Sequence, residues 1–225
     1  MTPRTAIPVQ FRALPPTTLR GLVGLNLLVF VLWTFVGSDT DPLYAWAESN
    51  LLVSGTLLAD GRIWTLLTSG FSHFGLTHLL FNMYALWLFG RDVETIAGHR
   101  GMVHLYVLGA VVASLTHVMT QWIMGTDVPA LGASGAVMAI AVAHAALFPM
   151  RRVAVFFLIP MPLWLAVAGF IFLDVAGLAS NSADGVAHGA HLGGAVAGWV
   201  YFRQVLRPRV AEAFRRQWGF SVPPR

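Results

Sequence analysis

Six long stretches of this sequence are apolar and nearly free of charge, roughly 19–36, 72–89, 102–123, 133–148, 162–178 and 186–202. Runs of that length bury their backbone polarity most cheaply as helices crossing a hydrocarbon core of about 30 Å. The composition agrees: 56% of the 225 residues are hydrophobic and only 11% are charged, too few to cover a water-exposed globule. The expected fold class is therefore an all-α membrane protein, a single six-span bundle without a soluble domain. The longest connection, 37–70, carries Pro42, Tyr44, Trp46 and Trp64, residues suited to a headgroup interface.

The charges orient the bundle. Every arginine except Arg62 falls before span one or after spans two, four and six, and Asp39, Asp41, Glu48, Asp60, Asp127 and Asp184 share Arg62's side. The positive-inside rule then places both termini in the cytoplasm, which an even number of spans permits. The basic, acid-free N-terminus resembles an organelle presequence only in charge, because Pro3, Pro8, Pro15 and Pro16 interrupt the amphipathic helix such a signal needs. The expectation is an uncleaved first span in the cytoplasmic membrane of a prokaryotic cell. A cytoplasmic segment 1–18 precedes a membrane unit 19–206, and a basic tail 207–225 follows, able to touch anionic lipid. A net charge of +4 is accounted for by this topology without nucleic acid.

Composition also removes chemistries. There is no cysteine, hence no disulfide, thiolate metal site or cysteine nucleophile. Lysine is absent too, which excludes a Ser–Lys pair.

Polar side chains inside membrane spans are costly and tend to be functional. Three groups stand out. Gly132-Ala133-Ser134-Gly135 opens the fourth span, whose other end is pinned by Pro149 and the Arg151–Arg152 pair. The intervening helix reaches about 25 Å, short of the core thickness, so Ser134 should lie just inside the outer surface at a helix N-terminus with free N–H donors. That suits a serine nucleophile with an oxyanion hole, and equally a small-residue packing patch. His188 and His191 open the sixth span at i,i+3, as a catalytic imidazole or half a metal site. The Gly194–Gly198 seam beyond them would admit the Gly135–Ala139 patch of span four. His78 and Asn82 share a face early in span two and serve either as neutral hydrogen-bond donors or as interhelical glue. His73 is about 140° away from that face and reads as a loop anchor. His104, His117, His144 and Asp174 show no partner by spacing and read as structural, whereas Glu94 with Arg91 reads as a cytoplasmic cap or ion pair.

All three groups sit toward one end of the spans, in the order donor pair, serine, histidine. In the stretches 78–82, 132–135 and 187–194 the chain resembles the rhomboid intramembrane serine proteases, and span number and orientation extend the resemblance from about residue 19 to 202. It implies a six-transmembrane-helix rhomboid-like bundle and a Ser–His dyad lacking an acidic third member. Ser134 would be the nucleophile and His191 the general base. His78, Asn82 and the Ser134 N–H would form the oxyanion hole, with His73, His188, Gly132, Gly135 and Gly194 in support. Glu94 would support the cytoplasmic loop. Met138, Thr65 and Leu131 depart from residues frequent in that family, where a tyrosine, an arginine and a glycine often stand.

The implied activity is hydrolysis of peptide bonds in transmembrane protein substrates near their exterior end, in the lipid bilayer, with no metal or other cofactor and no nucleic-acid partner. Access to the site could involve span five, whose start is limited by Pro160 and Pro162. Two other classes fit parts of the pattern. One is a catalytically silent relative that binds membrane proteins. The other is a metal transporter using His73, His78, His188 and His191, which leaves the serine motif unexplained. A metalloprotease fits less well still, since the sequence has no His-Glu-x-x-His.

Overall fold

The computed structural model describes residues 9–36, 40–155, 158–180, 182 and 184–219. Arg4, Asp39 and Arg225 of the charge pattern, like Pro3 and Pro8, lie outside them. The chain is mostly helical: α1 (Thr17–Phe35), α2 (Pro42–Leu51), α3 (Gly55–Ala59), α4 (Thr65–Thr68), α5 (Leu76–Ile123), α6 (Ser134–Leu147), α7 (Leu163–Ala179), α8 (His188–Tyr201) and α9 (Arg207–Trp218). One feature departs from the all-α expectation. Arg152–Val155 and Ile159–Pro162 form an antiparallel hairpin, β1 and β2, leading into α7. Pro160 and Pro162 sit in β2, where proline's missing N–H and fixed φ are better tolerated than inside a helix.

The second and third stretches expected to span fall in the two limbs of α5, 76–97 and 99–123, separated at Gly98 by a left-handed backbone (φ 75°) that only glycine adopts cheaply. The second limb returns along the first. Ser114 Oγ lies 3.3 Å from Ser69 Oγ, and Tyr106 Oη donates to the Gly70 carbonyl at 2.8 Å, although residues 69 and 70 precede the first limb. Tyr106 also receives a bond from Asn26 Nδ2 (3.1 Å), tying α1 to α5 by a fully buried polar pair.

The core is built where small residues let backbones meet. A side chain at Gly109 would strike Ala136 and Ala139 of α6, and one at Gly194 or Gly198 of α8 would strike the carbonyls of Gly135 or Ala139. Consequently α6 is buried along nearly its whole length between α5 and α8. The outer faces are the reverse: Leu28, Phe35, Phe172 and Trp199 are exposed apolar side chains, as lipid-facing helices require. Helices α1 and α5 are each long and apolar enough to cross a membrane, and α6 and α7 are shorter apolar helices.

Residues 40–75 hold three short helices, the first two started by a capping side chain. Asp41 accepts from Leu43 N at α2, and Ser54 accepts from Leu57 N at α3. At the far end of the bundle Glu94 does not pair with Arg91. It is fully buried and accepts from Thr18 N (3.0 Å), Leu19 N (3.1 Å) and His99 Nδ1 (2.7 Å), so it caps α1 from another helix. His144, whose partners spacing did not reveal, faces Asp92 (3.2 Å) and Arg151 (3.2 Å) there, and His117 Nε2 bonds the Val128 carbonyl at 2.8 Å.

Candidate active site

The serine is placed by the segment before it. Val53 and Ala130 exchange backbone bonds at 2.9 Å, Gly132 N donates to Ser69 O at 2.8 Å, and Ala133 N donates to His73 Nε2 at 3.4 Å. Gly132 then takes φ 128°, and α6 begins at Ser134 with no side-chain cap. The first N–H groups of that helix have no partner within it, and they carry the positive end of its dipole.

His73 and His78 meet ring to ring at 4.9 Å in an edge-on contact. A Cβ at Gly132 would lie 2.9 Å from His78 Cε1, 3.1 Å from its Nε2 and 3.7 Å from Ser134 Oγ. Imidazole and hydroxyl therefore share the space that Gly132 leaves empty. Asn82, buried on the same face of α5, donates from Nδ2 to the His78 carbonyl at 3.0 Å, which leaves one amide hydrogen over. A small cavity behind the serine is lined by Ser69, Ser114, His117, Gly135 and Ser134 itself.

Helix α8 crosses α6 at the Gly135–Gly194 contact, with the Ala190 carbonyl 3.4 Å from a Cβ built on Gly135. His191 lies between those two α8 positions, so the crossing carries it to the start of α6. Ser134 Oγ and His191 make no hydrogen bond to each other. Catalytic contacts are often loose before a substrate binds. Met138, one turn beyond Ser134, packs against the buried cluster that includes Ala141, Val142, Leu163, Val167 and Ala195. Thr65 is buried and bonds the Arg62 carbonyl at 2.7 Å, and Leu131 packs on the Trp33–Ala47–Leu52 cluster.

One residue that the sequence left without a partner has two. Asp174 of α7 places Oδ1 2.9 Å from Nδ1 of His191 and 2.9 Å from Nδ1 of His188. Neither the spacing nor the resemblance had placed a carboxylate beside His191. The pairing joins α7 to α8 across a turn, so no helical spacing announces it. The only available signal was a lone acid in an otherwise apolar helix. His188 reaches the carboxylate by lying against Gly177, where any side chain would collide with its ring, and its Nε2 faces Asp184 at 3.3 Å. Among the described residues, no group of three His, Asp or Glu side chains is disposed to hold a metal ion.

Comparison with known proteins adds the family. The model of the Rhomboid domain matches residues 60–208. The presenilin-associated rhomboid-like protein, mitochondrial, of Mus musculus is 35% identical over 191 residues, covering 82% of this chain and 47% of that protein. RHOMBOID-like protein 12, mitochondrial, of Arabidopsis thaliana is 29% identical over 203 residues, covering 84% and 58%. Rhomboid-like protein 16, chloroplastic, of the same plant is 35% identical over 144 residues, covering 57% and 44%. The chain spans about half the length of the curated relatives it matches. These relatives overturn the expectation of a prokaryotic cell membrane, since they are mitochondrial and chloroplast proteins of eukaryotes. Arginine bias and prolines report how a chain sits in a bilayer, not which membrane it sits in.

Proposed function

Because this chain belongs to the rhomboid family, we propose that it is an intramembrane serine endopeptidase acting on transmembrane protein substrates within the lipid bilayer. The catalytic unit is 19–206, a six-span bundle with both termini on the arginine-rich side of the membrane, flanked by segments 1–18 and 207–225. It needs no cofactor and no nucleic acid.

Ser134 Oγ attacks the scissile carbonyl while His191 Nε2 takes its proton. The oxyanion that forms is met by the Ser134 N–H, by His78 and by the spare amide hydrogen of Asn82. Collapse breaks the C–N bond, and the proton held on His191 passes to the leaving amine. Water then attacks the acyl ester, giving its proton to His191, and the carboxyl product leaves as the serine regains its hydrogen. A helical substrate shields its carbonyls, so the segment must unwind first.

The observation that supports this reading best is the emptiness at Gly132. It lets the His78 ring and the Ser134 hydroxyl occupy one space at the uncapped start of α6. A fluorophosphonate probe tests it. The expected result is labelling of the wild-type chain and none of Ser134→Ala or His191→Ala. A folded wild type that stays unlabelled refutes it.

One observation favours a second reading, a rhomboid-like binder of membrane proteins without catalysis: Ser134 Oγ and His191 are not hydrogen-bonded. The same probe decides between the two.

A further inference from the structure

Asp174 is the one carboxylate in α7, a helix otherwise made of apolar residues and glycine. Its side chain is 7% exposed. Placing a carboxylate at such a depth costs several kcal/mol unless it is paired and hydrogen-bonded. What it meets are two imidazoles, both through Nδ1 and both at 2.9 Å, from residues one helical turn apart at the start of α8.

The chemistry of imidazole gives this contact a direction. A carboxylate is an acceptor, so it selects the ring form that carries hydrogen on Nδ1. Nε2 is then the nitrogen with the lone pair, which is the form a base must have to take a proton from a hydroxyl. The same contact stabilises the ring when it becomes a cation. Nothing else among the described residues bonds His191's ring, which is 20% exposed and would otherwise rotate. His188 restrains the carboxylate in turn. Its ring packs on Gly177, three residues after Asp174 on α7, where a methyl group would already collide with it. Gly177 thus leaves the room that the His188 ring needs to reach Oδ1.

We propose that Asp174 is a positioning residue for His191, fixing the ring by Nδ1 with Nε2 free to work, and that His188 packed on Gly177 holds the Asp174 carboxylate in register. The proposal rests on the serine-protease reading for its catalytic consequence, while its structural content stands apart from that reading.

The experiment uses the full chain reconstituted in vesicles and two readouts. The first is the rate at which a fluorophosphonate labels Ser134. The second is nitrogen-15 NMR of histidine-labelled protein, which reports which ring nitrogen of His191 is protonated whether or not the protein is active. In the wild type His191 is expected as the Nδ1–H form. Asp174→Leu keeps the volume and removes the acceptor. It should slow labelling about a hundredfold and convert His191 to a mixture of ring forms. Asp174→Asn keeps one oxygen for the two rings but no charge. It should retain the Nδ1–H form and lose about tenfold in rate. Should the leucine variant fail to fold, the asparagine variant and His188→Phe carry the test, the latter loosening the ring preference of His191. An unchanged His191 ring form in Asp174→Leu, or wild-type labelling of that variant, overturns the proposal. An unlabelled wild type whose His191 still changes form on loss of Asp174 refutes the protease reading alone.

Discussion

Gly194 of α8 lies directly against the backbone carbonyl of Gly135 on α6, with no room for a methyl group between them. This contact sets how near α8 comes to the serine's helix. Overpacking such a contact costs about 1–3 kcal/mol, because two backbones have to separate. Gly194→Ala should therefore lower the melting temperature in detergent. It should also reduce probe labelling by more than the lost stability accounts for, since His191 moves with the helix. Gly169→Ala is the control: nothing lies within 4 Å of a Cβ there, and both readouts should stay near wild type.

At Gly132 two demands coincide. The backbone has φ 128°, a region side chains rarely adopt, and a Cβ would press on the His78 ring at 2.9 Å. Gly132→Ala should cost about 1–3 kcal/mol in unfolding free energy. Displacing His78 should slow labelling about tenfold or more. Labelling at the wild-type rate would mean that His78 has no part in the chemistry.

His73 ties the connection before α5 to the segment that places the serine: its Nε2 accepts from Ala133 N at 3.4 Å and its ring meets His78 edge-on. His73→Leu removes that acceptor and should cost about 1–3 kcal/mol in unfolding free energy, read as a lower melting temperature in detergent. An unchanged melting temperature would sink the assignment.

Asp127 offers a check away from the site. Its carboxylate accepts from Gly55 N at 2.6 Å and Thr56 N at 3.0 Å, capping α3 from a distant loop. Hydrogen bonds from Thr56 and the two amides hold its pKa below the usual aspartate value. Its contribution is therefore present above pH 3.8 and lost as pH falls through the lowered value. Asp127→Ala should cost about 1 kcal/mol at neutral pH, the worth of an N-cap, and leave labelling unchanged.

How much of this could be read from the chain alone follows from the range of the forces involved. Hydropathy reports on each residue against lipid, so the apolar spans were visible, and the spacing of Gly194 and Gly198 pointed to the seam now seen against Gly135 and Ala139. The break between spans two and three was visible as a polar gap, but that a single residue, Gly98, makes it was not. Contacts between helices carry no such periodic signal. Asn26 with Tyr106, Glu94 with Thr18 and Leu19, and Asp174 with His191 each join positions whose sequence separation has no helical meaning. The β1–β2 hairpin was hidden for a different reason, since a short apolar run beside prolines reads equally as the frayed start of a span.

The two ends of α7 are moored differently. At one end Leu163 N and Trp164 N donate to the Arg151 and Pro149 carbonyls, at 2.7 and 3.1 Å, an attachment built from backbone hydrogen bonds. At the other, the tie to α8 is Asp174 on its pair of imidazoles. Any route that parts α7 from α8 at that second mooring must first untie the carboxylate. Such a separation would also release the ring of His191 from the acceptor that holds its Nδ1.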